Sequence, residues 1–551
     1  MSKVLGYVAY IFLAMGLLMA GFMALGGKAD AETAAMITIM MYVMYGGFSA
    51  FIWVIVGHRK HKLHIRTAML TIFIALTTIL FSVMSAGPWL LIGAVTNLTI
   101  IWFRLLKTES KKADEIEGGG EILRGTSIAD NRDILNKKSA RSDDDLAIKI
   151  GGVTIPKDAE ASHFLFVGGP GTGKSVAISA MLETVRKRGE RAIVYDPTGE
   201  FLGQFYKAGD VILNPLDARS ALWTPWSDAS DRADFEQIAS AIIPDDEKQP
   251  FFPQSARALL VSLLESTQSV SELVRMIMGA ENNELIQIVK KKGLAGLVGS
   301  EDTFSNSRAS MTAPTTCLRY LKNAGNAAFS IKKWVANEQN SSWLFLTSRA
   351  DQRTVLRPLL TLWLDIAVTG VMMLKPNRDR RIWLFVDELP SLQKMPKIGT
   401  AQAECRKYGL CVVTGIQSIA QDREIYGKDG AEALLGLPQT QCILRLPDPD
   451  TAAWASKAIG ERHIVRRIES ESASGSGGSS GTSQQHATEA AILPSQIQCL
   501  PNLEGLLKYP AQAGVTVTRI KLQVKNRPEV TDSYIPIKSA AVPTAEVQNA
   551  Q

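Results

Sequence analysis

The 551 residues include 60 Lys and Arg against 54 Asp and Glu, a formal net charge of +6, with 46% hydrophobic residues and five cysteines. That length holds three or four domains, and the mildly basic balance suits nucleic acid or an anionic membrane without requiring either. Cys317, Cys405, Cys411, Cys442 and Cys499 share no metal or redox spacing, which argues against a zinc or disulfide framework and for reduced thiols in a cytosolic body.

The chain opens apolar. Val4 to Gly27 and Thr33 to Gly57 carry no charge, and neither does Thr67 to Phe103, which Gly87-Pro88 breaks near its middle. Each segment is long enough to cross a bilayer core of about 30 Å, so four spans are predicted over 4–26, 34–57, 67–86 and 88–106. Arg59, Lys60, Lys62 and Arg66 between the second and third spans, with Arg104 and Lys107 after the last, place both termini in the cytoplasm. His58, His61 and His64 in that same loop read as a solvated juxtamembrane stretch, because the neighbouring cations would repel a metal. Residues 107–145 are charged and poor in apolar side chains, and predict a tether.

Alternating Ile148, Ile150, Val153 and Ile155 predict a short strand pair. Phe164-Leu-Phe-Val167 predicts a buried strand, which opens into Gly168-Gly169-Pro170-Gly171-Thr172-Gly173-Lys174-Ser175-Val176 and then a helix. Strand, glycine loop and helix in that order form a phosphate-binding P-loop. Backbone amides of residues 168–176 would curl round the phosphates of ATP at the positive end of the helix. Lys174 would reach the β- and γ-phosphates, and the Ser175 hydroxyl would ligate Mg²⁺.

Arg191–Asp196 and the run from Val211 predict further strands. Strands alternating with helices give a parallel sheet with ligands at its carboxyl ends, where Asp196 and Glu200 could touch a coordinated water or cap the turn. From 218 to 338 apolar residues recur at helical spacing, as in Leu259, Leu260, Leu263 and Leu264, and predict an inserted all-helical subdomain. Its Trp223, Trp226, Phe251 and Phe252 read better as core than as base-stacking platforms. The sheet resumes at 342–347, a helix covers 354–374, and Arg381 begins an apolar strand ending in Asp387-Glu388. That ending is the second half of a nucleotide-hydrolysing site. Asp387 would hold Mg²⁺ through water, and Glu388 would orient or deprotonate the attacking water.

A helix over 399–407 precedes the strand Leu410–Gln417, whose terminal amide can sense the γ-phosphate. Arg406 reads equally as a helix-end cation or as an arginine finger for a neighbouring subunit. A strand over 441–446, a flexible Ser/Gly-rich loop over 469–487, an alternating strand over 515–524 and a disordered tail from 538 complete the pattern.

In this order the spans, the P-loop, Asp196-Pro-Thr-Gly-Glu-Phe, the helical insertion, Phe385-Val-Asp-Glu, Arg406-Lys-Tyr-Gly and Gly415-Ile-Gln-Ser resemble the type IV coupling proteins of conjugation systems, the TraD/TrwB kind. The resemblance covers nearly all of residues 1–530. It implies an α/β fold: a RecA-like P-loop NTPase domain (146–217 and 339–537) with an inserted all-α subdomain (218–338), behind an N-terminal helical transmembrane domain (1–106). It further implies a hexameric motor related to the FtsK and HerA translocases, with ATP between subunits and DNA in a central channel. The family's P-loop lysine and serine fall on Lys174 and Ser175, its Walker B pair on Asp387 and Glu388. Its sensor glutamine falls on Gln417 and its trans-acting arginine on Arg406. Two features depart from the family: the hairpin 67–106 exceeds the two spans of TrwB-like members, and the long acidic C-terminal tail with which some relatives recruit the relaxosome is missing.

The expectation is thus an inner-membrane, multi-pass ATPase that links a relaxase–DNA complex to a type IV secretion channel and drives single-stranded DNA transfer. Arg308, Arg319, Lys322, Lys332 and Lys333 are candidate DNA contacts, or else a solvated basic face. The rivals are an ATPase of the same fold moving protein alone or chromosomal DNA, and a membrane adaptor whose nucleotide site only drives hexamer assembly. A scaffold has no use for Glu388 and Gln417, which disfavours the adaptor.

Overall fold

The computed structural model describes residues 120–129 and 146–537, apart from 247, 299, 473–478 and 512–513. The four predicted spans and the tail from 538 lie outside the described residues. In chain order come β1 (Gly120–Gly125), β2 (Ile128–Ala129), the hairpin of β3 (Lys149–Ile150) and β4 (Val153–Thr154), and β5 (Phe164–Val167). Helix α1 (Lys174–Lys187), β6 (Arg191–Asp196), α2 (Glu200–Phe205) and β7 (Val211–Leu213) follow. A helical block comes next, its main members α3 (Arg232–Ile242), α4 (Phe251–Ser266), α5 (Val270–Gly279), α6 (Asn282–Lys291), α7 (Glu301–Thr315) and α8 (Ile331–Ala336). The sheet is rejoined by β8 (Leu344–Thr347), α9 (Arg353–Met372), β9 (Ile382–Val386), α10 (Ile398–Glu404), β10 (Leu410–Ile416), α11 (Ile419–Tyr426) and β11 (Thr440–Ile443). Strands β12 (Glu461–Ser472), β13 (Ser479–Ala490), β14 (Glu504–Ala511) and β15 (Gly514–Lys521) complete the set.

Ten of these strands form one sheet, ordered β2-β15-β14-β11-β5-β10-β9-β6-β8-β7. From β11 to β7 all neighbours run parallel. Strands covered on both faces read as unbroken apolar runs, which is why β5 and β9 are four or five hydrophobic residues in a row. Side-chain alternation then divides each strand between two cores. Leu165, Val167, Ile193, Tyr195, Leu384 and Val386 pack with α9 and the helical block. Phe164, Phe166, Val194, Trp383 and Phe385 pack with α1 and α2. Helix α9 alone among the described residues is long and apolar enough to cross a membrane, and it is largely enclosed in the first core.

The helical block closes on itself at one carboxylate. Buried Asp228 accepts from Trp223 Nε1 at 2.7 Å, near the block's start, and from Ser330 Oγ (2.7 Å) and the amides of Ile331 and Lys332 (3.0 and 2.8 Å), near its end. Ser269, Ser300 and Ser330 cap α5, α7 and α8 by accepting an amide three residues on, each contributing about 1 kcal/mol. Trp223 is buried edge-on against Trp363, and Trp226 donates to the Leu264 carbonyl, whereas Phe251 is half exposed and packs only against Phe252 among the rings.

Two expectations need correction. The segment 107–145 holds strands: β1 pairs antiparallel with β12, and β2 parallel with β15. Within the predicted Ser/Gly-rich loop, residues 469–472 and 479–487 belong to the β12–β13 hairpin, paired from Glu461↔Ala490 to Ser472↔Ser479. Ladder bonds join backbone groups whatever side chains they carry, so a facing strand overrides the poor strand propensity of Ser and Gly. Residues 522–537 cross α1 and α2 as an extended strap: Arg527 donates to Glu183 at 2.9 Å, the Val530 amide to the Gly203 carbonyl at 2.7 Å, and Tyr534 to the Leu216 carbonyl at 2.9 Å.

At the amino ends of the central strands Glu160 is fully buried between two guanidiniums, Arg188 Nη2 at 2.8 Å and Arg381 Nε at 3.0 Å. Removing the shared anion leaves Arg381 with carbonyl acceptors alone and Arg188 with Glu190 at 3.5 Å as its remaining carboxylate. Glu160→Ala is therefore expected to destabilise the body by about 3–5 kcal/mol, read as a lowered denaturant midpoint in tryptophan fluorescence.

Candidate active site

The parallel register brings the carboxyl ends of β5, β10, β9 and β6 together. Val167 faces Ile416, Thr414 faces Val386, and Tyr195 faces Val386 from the other side. The turns that follow, 168–173, 417–418, 387–388 and 197–199, therefore open on one edge, where an open α/β sheet holds ligands.

The glycine loop is pinned at both ends. Gly168 N–H bonds the Ile416 carbonyl at 3.2 Å and Gly169 N–H the Arg445 carbonyl at 3.0 Å. The first bond of α1 runs from Ala177 N–H to the Gly173 carbonyl at 3.1 Å, so the amides of Lys174, Ser175 and Val176 have no intrahelical acceptor and can serve an anion. Gly173 sits at φ 114°, and a Cβ there would lie 2.9 Å from Leu503 Cδ2. Leu503, itself held at φ 65°, donates its N–H to the Thr172 carbonyl at 3.0 Å and so braces the loop from the last quarter of the chain.

Lys174, Glu388 and Gln417 meet. Lys174 Nζ lies 2.8 Å from Glu388 Oε2, and Gln417 Nε2 lies 2.5 Å from the same oxygen. The ion pair is largely enclosed, its side chains 9% and 14% exposed. Next to it, Asp387 Oδ1 is buried without a hydrogen-bond partner. Its carboxyl is pushed up to about 6, chiefly by burial; Lys174 opposes that, and Asp196, Glu388 and Glu200 add to it. A divalent cation would answer both conditions, giving the oxygen a partner and the cluster a positive charge. The residues therefore fit Mg²⁺, with Asp387 and the Ser175 hydroxyl on the first turn of α1 as its protein contacts. The described residues hold no cluster of three His, Cys, Asp or Glu suited to a metal.

Asp196 takes the capping role. It is fully buried and accepts from the amides of Thr198, Gly199 and Leu202 at 3.3, 2.9 and 2.9 Å. Glu200 is exposed at the start of α2. Arg406 stands apart from the other candidates. It lies in the turn Cys405–Tyr408 ahead of β10, so about 20 Å of strand separates it from the P-loop edge. It is exposed and lines a hollow of about 450 Å³ with Arg378, Glu404 and Lys407. Of the candidate DNA contacts, Lys332 is ion-paired with Asp234 and Arg308 donates to Asn282 Oδ1 at 2.8 Å; Arg319, Lys322 and Lys333 are exposed.

Two further residues shape the site. Gly415 is one: a Cβ there would fall 2.1 Å from the Asp387 carbonyl oxygen and 3.1 Å from Lys174 Cδ. Asp422 on α11 is the other. It is 1% exposed, neither carboxylate oxygen has a hydrogen-bond partner, and burial pushes its carboxyl up to about 7, with Glu388 adding and Lys174 opposing.

Gly415→Ala must displace Asp387 or Lys174, and is expected to lower kcat for ATP by about a hundredfold, the scale that a 1 Å misplacement commands. For Asp422, a folded-state value above the usual one means that its ionisation opposes folding. That penalty is full above pH 7 and fades as pH falls toward 4. Asp422→Asn is therefore expected to raise the thermal midpoint at pH 8 and to lose most of the gain by pH 4.

The family described as "Type IV secretion-system coupling protein DNA-binding domain" matches residues 147–523. Coupling protein TraD of Escherichia coli (strain K12) is 32% identical over 470 residues, which is 82% of this chain and 64% of TraD. A probable conjugal transfer protein TraG of Sinorhizobium fredii is 24% identical over 425 residues, 69% of this chain and 66% of that protein. The chain thus spans less than two thirds of either relative. Among solved structures, the bacterial conjugative coupling protein TrwBdeltaN70 in an unbound monoclinic form is similar with a TM-score of 0.69 and 27% identity, covering 76% of this chain and 98% of that one. Plasmid coupling protein TrwB in complex with ADP and Mg²⁺ gives 0.67 and 27%, covering 77% of this chain and 100% of that one. TrwB has also been solved with the non-hydrolysable ATP analogue ADPNP, at 0.68 and 27%, with the same coverage. With its family match over most of its length and a TraD relative above 30% identity, this chain belongs to the type IV secretion-system coupling proteins.

Proposed function

We propose that this chain is an inner-membrane ATPase that couples a relaxase–DNA complex to a type IV secretion channel and drives single-stranded DNA through it. The observation that carries the reading is the convergence of Lys174 and Gln417 on one oxygen of Glu388, beside the partnerless oxygen of Asp387. TrwB's complexes with ADPNP and with ADP and Mg²⁺ support ATP and Mg²⁺ as ligands here. The names of the TraD and TraG relatives support a coupling role in conjugation.

In this reading the amides of Gly168–Val176 cradle the triphosphate and Lys174 neutralises its β- and γ-oxygens. Ser175 and Asp387 hold Mg²⁺, whose charge stabilises the phosphates when bound. Glu388 takes the proton of the attacking water, while Gln417 fixes the orientation of that carboxylate and reports the loss of the γ-phosphate to α11. Arg406, at the far end of the strands, serves the nucleotide of the next subunit in a homohexamer. Exposed cations of the helical block, Arg319, Lys322 and Lys333, track the DNA backbone with little sequence preference. Four spans within residues 4–106 anchor the chain, with both termini and the ATPase body in the cytoplasm.

The test uses the full chain in lipid nanodiscs. Single-stranded DNA is expected to stimulate ATP hydrolysis, and Lys174→Ala to abolish it. Arg406→Ala alone should lose about a thousandfold in kcat, the lower range for an arginine finger. An equal mixture of Lys174→Ala and Arg406→Ala should regain activity, because mixed neighbours rebuild complete sites. Hydrolysis indifferent to DNA would point to a protein-only cargo, and no recovery on mixing would remove the role in trans.

A further inference from the structure

The loop that follows Glu388 is bonded in two directions. Toward the catalytic carboxylate, Ser391 Oγ donates to the Glu388 carbonyl at 2.6 Å and shares a 2.7 Å bond with the Tyr195 hydroxyl at the end of β6. Arg357, early on α9, donates from Nη2 to the carbonyls of Pro390 and Leu392 at 3.0 and 2.6 Å. Toward the helical block, the Gln393 side-chain amide donates to the carbonyls of Ala241 and Ile242, the latter at 3.1 Å, at the end of α3. The Gln393 N–H bonds Thr361 Oγ1 at 3.2 Å, and that hydroxyl donates to the Arg357 carbonyl at 2.9 Å. Six residues thus form a bridge with Glu388 at one end and the helical block at the other.

A cleft of about 630 Å³ opens beside this bridge. Ile243, Pro253, Ala313 and Pro314 of the helical block line one wall, and Arg357 and Gln393 line the other. At this cleft the block is not packed against the loop, and a shift of the end of α3 must carry the Ala241 and Ile242 carbonyls, and Gln393 with them. Arg357, on a helix buried in the sheet's core, holds the carbonyls of Pro390 and Leu392 on either side of Ser391, so its guanidinium fixes the middle of the loop. Its Nε is buried with no hydrogen-bond partner among the described residues, and both bonds to the loop leave from Nη2.

We propose that Arg357 and Gln393 are positioning residues that transmit the packing of the helical block to Glu388, so that whatever engages the block sets the rate of hydrolysis. The proposal rests on the ATPase reading above and gives it a route: DNA held by the block acts on the carboxylate through residues 389–393. A plain structural brace would lower stability and scale basal and stimulated turnover alike. A transmitter makes changes on the block's side matter only while the bridge is intact.

The experiment measures kcat and KM for ATP, with and without single-stranded DNA, on the full chain in nanodiscs. Ala313→Trp fills the cleft from the block's side and touches no residue of the nucleotide site; Ser310→Trp on the same wall is the second variant should the first not fold. Either is expected to change kcat by about threefold or more at unchanged KM, the scale of a coupling carried through packed side chains. In a Gln393→Ala background the same change should vanish, and DNA stimulation should fall with it. Arg357→Lys, which keeps the charge but loses the fork, should weaken stimulation with KM unmoved. Equal effects of the tryptophan in both backgrounds, or full DNA stimulation in Gln393→Ala, would overturn the proposal. If DNA fails to stimulate the unmodified chain but the tryptophan effect still depends on Gln393, the DNA-motor reading falls and the transmission stands. A chain without any turnover would remove both.

Discussion

One oxygen of Glu388 receives both the Lys174 ammonium and the Gln417 amide, and the surrounding architecture serves to keep that meeting in place. Charge-assisted bonds in an enclosed site are short and strong, and they fix the carboxylate's direction in advance. The same bonds set a competition. An ammonium held by Glu388 is only partly available to a triphosphate, so nucleotide entry and freeing of the carboxylate are linked through Lys174. Gln417 keeps Glu388 oriented while that exchange proceeds, and it sits directly before α11, the helix that moves if the amide does.

The exchange is possible because three strands distant in sequence are neighbours in space. β5 carries the loop, β9 the carboxylates and β10 the amide, in the order β5-β10-β9. Close approach at this point is severe: Gly415 has the Asp387 carbonyl where a Cβ would be. The helical block enters between β7 and β8, at the far edge of the sheet, and Asp228 ties its two ends together. A large insertion is thus accommodated without interrupting the central strands, while Gln393 keeps it in mechanical contact with them.

The P-loop, Asp387-Glu388 and Gln417, which the structure brings to one edge, stand out in the sequence because each is a local pattern, an apolar strand ending in a fixed chemistry. Asp422 does not: in Gln421-Asp422-Arg423-Glu424 an acid among polar residues looks solvated, and its burial comes from elements far away in the chain. Leu503 was hidden because its backbone, not its side-chain type, braces Thr172. Glu160 draws its partners, Arg188 and Arg381, from two segments that no spacing rule connects. The far part of the β12–β13 hairpin has a loop's composition because Ser and Gly weaken strand propensity, yet the facing strand supplies the pairing that composition withholds. Arg406 was ambiguous by residue chemistry, and only the direction of β10 separates it from its own P-loop.

The separation of the central strands also dictates when the site can exist during synthesis. Phe164 on β5 meets its β10 partner Thr414 across a gap of 250 residues, and β11 and Leu503 emerge later still. At ordinary translation rates the glycine loop therefore waits roughly 12–50 s beside an unpaired, wholly apolar strand. During that interval β5 is a sticky edge with no partner, a hazard for a nascent chain and a target for chaperones. Nucleotide cannot assist folding early, because the pocket that would bind it closes only when the last quarter of the body arrives.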